Sequence, residues 1–80
     1  MARPLLQIAL DNNTLSDALK SISLVGNEVD VIEAGTILCL AEGMEAVRCL
    51  RALYPNKIIL ADTKCADAGT TVAKNCADAG

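Results

Sequence analysis

The sequence predicts an α/β protein built on a parallel sheet. Short, nearly continuous apolar runs alternate with amphipathic stretches in the order strand, helix, strand, helix, strand, helix. The units recur at roughly 25 to 30 residues, the scale of β-α-β connections, and crossovers of that kind make neighbouring strands parallel. The apolar content, 52% of 80 residues, is aliphatic, with Tyr54 the one aromatic residue. Such a composition suits strands buried on both faces beneath packed helices.

"LLQIAL" (Leu5 to Leu10) is apolar almost throughout and stops at Asp11, as an internal parallel strand does. In "NNTLSDAL", Thr14 is placed to cap a helix with Asp17 three positions on, and Leu15, Ala18, Leu19 and Ile22 recur on one face. Gly26 is expected to stop this helix. "VDVIEAG" (Val29 to Gly35) reads as a second strand because β-branched residues favour the extended state, and Gly35 turns the chain after it. "EGMEAVRCLRALYP" then sets Val47, Leu50 and Tyr54 on a helical stripe, pairs Glu45 with Arg48, and ends at Pro55. "KIILAD" (Lys57 to Asp62) is the third strand, and "DAGTTVAKNCADAG" begins a third helix. "CADAG" occurs at Cys65 to Gly69 and again at Cys76 to Gly80, but two short copies do not make a repeat fold.

Several function classes are excluded. The net charge is −3, with no basic stripe and no aromatic platform, which argues against nucleic acid as a partner. No uncharged apolar run reaches the roughly 18 residues of a membrane span. "MARPLLQIALD" lacks a small-residue cleavage site, so it reads as the first strand of a cytoplasmic protein. Cys39, Cys49, Cys65 and Cys76 are widely spaced and no histidine is present, so a zinc site is not expected; reduced, buried, apolar thiols are. A reactive thiol at Cys65, beside Lys64, is the alternative.

The polar residues suggest chemistry. Asp11, Glu33 and Asp62 fall at the C-terminal ends of the three expected strands, and parallel strands bring those ends to one rim, where ligands bind in such proteins. Carboxylates gathered together resist ionisation unless a cation joins them. Oxygen ligands without histidine favour a hard ion, Mg²⁺, with water and substrate completing its shell. Lys64 shares the rim if the extended conformation continues past Asp62, and its ammonium would stabilise an anion forming on a substrate. Turn and cap chemistry is the competing explanation for Asp11 before "NNT" and for Asp67 before "AGTTVA". Glu33 resists it, because glutamate is neither a favoured turn former nor a favoured cap.

"LLQIALD", "VDVIEAGTILCLAEGMEAVRCLRALYP" and "KIILADTKCADAG", with the D-x-K-x-x-D pattern at Asp62, Lys64 and Asp67, resemble the 3-keto-L-gulonate 6-phosphate decarboxylases of the orotidine 5′-monophosphate decarboxylase suprafamily. The resemblance covers essentially the whole chain. It implies a (β/α)₈ TIM barrel, of which residues 1–80 are the first three β/α units, acting as a homodimer with shared active sites. It implies Mg²⁺-dependent decarboxylation of 3-keto-L-gulonate 6-phosphate to L-xylulose 5-phosphate through an enediolate. Glu33 and Asp62 would then hold Mg²⁺, Lys64 would hydrogen-bond the intermediate, Asp11 would meet substrate hydroxyls, and Asp67 would reach the partner subunit's site. The same motif serves hexulose-6-phosphate synthases, an aldol-type alternative, and a non-catalytic association module is a third reading. A barrel needs about 200 to 250 residues, and its phosphate loops come from later strands, so 80 residues alone are expected to be inactive and prone to aggregate.

Overall fold

The computed structural model describes residues 3–80; Met1 and Ala2, which open the segment expected as the first strand, lie outside the described residues. The elements are β1 (Gln7–Leu10), α1 (Leu15–Val25), β2 (Val31–Ala34), α2 (Thr36–Glu42), α3 (Met44–Leu53), β3 (Ile58–Ala61) and α4 (Gly69–Ala79). The sheet runs β1-β2-β3, all parallel, with Leu10, Ala34 and Ala61 side by side.

Helix α1 starts where its cap dictates. Thr14 is extended, and its Oγ1 accepts the Asp17 N–H at 3.1 Å. Glu42 at the end of α2 accepts the Leu15 N–H at 2.5 Å, setting a carboxylate at the positive end of the helix. Thr14→Ala is expected to cost about 1 kcal/mol, read as a lower denaturant midpoint. Gly26 does end α1, but in ordinary right-handed geometry rather than a left-handed cap. Glycine is needed there for space: an added Cβ would lie 2.6 Å from the Tyr54 ring, whose hydroxyl donates to the Ile22 carbonyl at 3.4 Å.

The second crossover differs from expectation. In place of one helix there are two, because "TILCLAE" forms α2 before Gly43 breaks the chain at φ 65°. That conformation is costly for any residue with a Cβ. The stretch was unreadable because an apolar run this dense carries no periodicity to separate strand from helix.

One face of the sheet is packed and the other is open. Leu10, Ile32 and Ala34 point into the core with Ala18, Ile22, Leu38, Ala46, Val47 and Leu50 of the helices. The opposite face carries Gln7, Ala9, Glu33, Ile58 and Leu60, with Ile58 54% and Leu60 42% exposed. The strands are therefore not buried on both sides among the described residues. Arg51 was not anticipated; its guanidinium donates to the carbonyls of Lys57 (2.9 Å), Pro55 (3.2 Å) and Gly80 (2.9 Å), tying α3 to the entry of β3 and the end of α4.

The start of β1 is latched to β2. Arg3 forks onto Asp30 at 2.6 and 2.9 Å, and Asp30 also accepts the Leu6 N–H at 2.9 Å. The Arg3 guanidinium, then the Leu6 amide, lower the Asp30 carboxyl to about 2. A carboxyl depressed on folding stabilises the fold fully above its unfolded value, and that contribution disappears as pH falls through about 2. Asp30→Asn is therefore expected to flatten the decline of the denaturant midpoint below about pH 4, while leaving the rest of the profile parallel.

Candidate active site

The sheet register fixes where the acidic residues stand. Ala9, Glu33 and Leu60 form one row across the strands. The pairing continues past the strand ends through Gly35 N–H to Leu10 O (2.9 Å) and Asp62 N–H to Ala34 O (3.0 Å), making Asp11, Gly35 and Asp62 the next row on the same face. Glu33 and Asp62 thus share one side of the sheet. Strand spacing and rise separate their Cα atoms by roughly 8 Å, within the combined reach of two carboxylate side chains. Glu33 does not end its strand as expected. It is the third of four residues in β2, so it stands below the rim and points into the open face.

Lys64 arrives by a different route from the one expected. The extended conformation does not continue; Lys64 has φ 47°, a left-handed backbone rare for a residue with a side chain. That turn folds Lys64 back on Asp62. Its N–H donates to Oδ1 at 3.1 Å and its Nζ to Oδ2 at 3.0 Å. The Lys64 ammonium, then its amide, hold the Asp62 carboxyl below the usual range, and the Thr36 hydroxyl at the start of α2 adds to the effect. In return the Lys64 pKa is raised, chiefly by Asp62, with the charges of Glu33 and Asp11 contributing. Thr36 follows Gly35 directly, and sequence reasoning missed it because a threonine opening a helix carries no signal of its own.

Other expected residues are placed less centrally. No three acidic or thiol side chains converge as a ready-made metal cage among the described residues, so Asp11, Glu33 and Asp62 share a face without meeting at one point. Glu33 is held instead by Gln7, whose Nε2 donates to it at 2.6 Å. The Asp67 carboxylate is held within its own loop. Its Oδ1 accepts the Ala68 N–H at 2.7 Å, next to a second left-handed residue, Ala68 at φ 55°. It does not cap α4, whose N-terminus has no side-chain cap. Cys65 is exposed rather than buried, and its thiol donates to the Asp67 carbonyl at 3.0 Å. The other thiols are half-buried; burial pushes Cys39 up, and its Sγ donates to the Ala34 carbonyl at 3.4 Å, on the packed side of the sheet. A groove of about 230 Å³ lined by Thr36, Cys39, Leu40, Met44, Val72 and Cys76 lies beside the rim, between α2 and α4.

A parallel sheet covered by helices on one face, with carboxylates and a lysine at its C-terminal rim, is the arrangement of a β/α-barrel type of protein, the class in which that rim carries the active site. The chain belongs to the orotidine 5′-phosphate decarboxylase / HUMPS family, whose profile matches residues 4–80. It is 54% identical over 79 residues to the 3-keto-L-gulonate-6-phosphate decarboxylase UlaD of Escherichia fergusonii, which covers 99% of this chain and 37% of that protein. The crystal structure of KGPDC from Streptococcus mutans matches with a TM-score of 0.93 and 61% identity, over 96% of this chain and 36% of that one. A 3-hexulose-6-phosphate synthase from Salmonella typhimurium matches with a TM-score of 0.91 and 39% identity, over 96% of this chain and 36% of that one. The chain thus spans little more than a third of the length of the relatives it matches, and its fold is that of about three β/α units of their barrel.

Proposed function

We propose that these residues are the first three β/α units of a (β/α)₈ enzyme that decarboxylates 3-keto-L-gulonate 6-phosphate to L-xylulose 5-phosphate, with Mg²⁺, as a cytoplasmic homodimer. The observation that carries this reading is the Asp62–Lys64 pair at the rim, on the same sheet face as Glu33. The similarity to decarboxylases, closer than to the synthase, supports the reaction.

Glu33 and Asp62 fit Mg²⁺ by donor chemistry, since that ion takes one or two carboxylates and keeps several waters rather than needing a full protein cage. When bound, it supplies Lewis-acid neutralisation of negative charge developing on the substrate. The chain's own groups do the rest. Loss of CO₂ leaves an electron pair that becomes an enediolate, and Lys64 donates a hydrogen bond to it from an ammonium that Asp62 keeps protonated and aimed. Asp11, exposed at the rim, accepts hydrogen bonds from substrate hydroxyls. Asp67 is exposed and its carboxylate bonds within its own loop, which suits a side chain that completes the partner subunit's site. The open edges of β1 and β3 and the apolar Ile58 and Leu60 on the uncovered face are consistent with further strands closing the sheet.

The test is a comparison of CO₂ release with formaldehyde addition by the full-length protein, with and without Mg²⁺. CO₂ release that is Mg²⁺-dependent and lost in Glu33→Gln is expected. Formaldehyde addition alone selects the synthase, and a full-length protein that binds no Mg²⁺ and is indifferent to Glu33→Gln is a non-catalytic module. The 80-residue chain by itself is expected to release no CO₂, because the phosphate-binding loops of such barrels come from the later strands.

A further inference from the structure

Gly35 occupies the position between Asp11 and Asp62 in the rim row, where any side chain on β2 would stand between the two carboxylates. Its backbone, φ −68° and ψ 167°, is one that every residue adopts, so the glycine is not there for conformational freedom. It is there for space. A Cβ built at Gly35 would overlap the Asp11 carboxylate oxygen Oδ1 and would come within 2.8 Å of the Leu10 carbonyl. The Asp11 side chain therefore lies across β2 in the slot that the missing side chain leaves, on the side facing Asp62 and Lys64. That placement agrees with the contribution of the Asp11 charge at Lys64.

We infer that Gly35 is a positioning residue: its lack of a side chain lets the Asp11 carboxylate lean over the central strand toward the Lys64 ammonium instead of out into solvent. The inference rests on the proposed role of Asp11 as a substrate-binding group. It assigns Gly35 no contact with substrate. An alanine there displaces the Asp11 carboxylate from β2, and the substrate hydroxyls then lose their acceptor at its place beside the amine.

A double-mutant cycle in the full-length enzyme tests this. Gly35→Ala is expected to lower kcat/KM about 100-fold, the usual cost of misplacing a binding group by an ångström or so, and to match Asp11→Ala. Added to Asp11→Ala, which empties the slot, Gly35→Ala is expected to cost no more than about threefold further. An equal cost in both backgrounds overturns the inference, since the Leu10 carbonyl alone would then account for the glycine. If Gly35→Ala does not fold, the same cycle is read from soluble yield and denaturant midpoint: recovery by Asp11→Ala supports the inference, and failure in both backgrounds overturns it. Full activity in Asp11→Ala would refute the role proposed for Asp11, while the denaturant-midpoint cycle still decides whether Gly35 positions it.

Discussion

Lys64→Ala in the full-length enzyme is expected to lower kcat by about 100- to 1000-fold, the usual loss when one preorganised donor to a developing oxyanion is removed. The physical case is the geometry of the pair. Asp62 receives both the amide and the ammonium of Lys64, so the ammonium is directed to the rim before substrate arrives. An interaction made mainly in the transition state appears in kcat, with KM changing far less. Steady-state kinetics with 3-keto-L-gulonate 6-phosphate check this. A drop confined to KM would make Lys64 a ground-state binding residue and would undo its assignment to the enediolate. Lys64→Arg should rescue little, because a planar fork on a longer stem cannot occupy the position of a compact ammonium folded back by a left-handed turn.

Leu50→Ala carries the largest expected loss of stability, about 2 to 5 kcal/mol. Leu50 is fully buried on α3 in the core beneath the sheet. Truncation removes its transfer free energy and leaves a cavity that a layer between helices and sheet cannot close. Urea unfolding of the full-length protein should show a lower midpoint with little change in slope. Leu50→Met, which keeps the volume, should cost less than about 1.5 kcal/mol. Equal effects of the two substitutions would mean that shape rather than lost volume sets the penalty.

Much of the fold was readable because local pattern and tertiary demand agree. The Thr14 cap, the Leu50 stripe and the three aliphatic strands each have a period or a cap that packing then uses. The failures are also physical. The expected strands are wider than the observed ones, since apolar character continues past the ladder: Leu5 and Leu6 are apolar yet exposed and outside β1. The two copies of "CADAG" make the point within one chain. Cys65 to Ala68 form the loop leading into α4 and Gly69 opens that helix, while Cys76 to Ala79 close it. Five residues are too few for the helix propensity of their alanines to prevail, so each copy takes the conformation its surroundings impose.

At the site, residue types and spacing singled out Asp11, Glu33, Asp62, Lys64 and Asp67, but not how they relate. Glu33 sits below the rim, Lys64 returns through a positive φ, Asp67 bonds to the amide of the next residue, and Thr36 and Gly35 enter only once β2 and β3 are aligned.

By itself the sequence determined the alternation of strands and helices, the parallel pairing that follows from it, and the chemical identity of the groups at the rim. These depend on periodicity and side-chain type, which are local properties. Only the tertiary structure decided which carboxylates share a face, that a lysine folds back onto one of them, and that a glycine leaves room for the Asp11 carboxylate over the central strand. Those are distances between residues far apart in the chain, set by sheet register and packing rather than by any one segment.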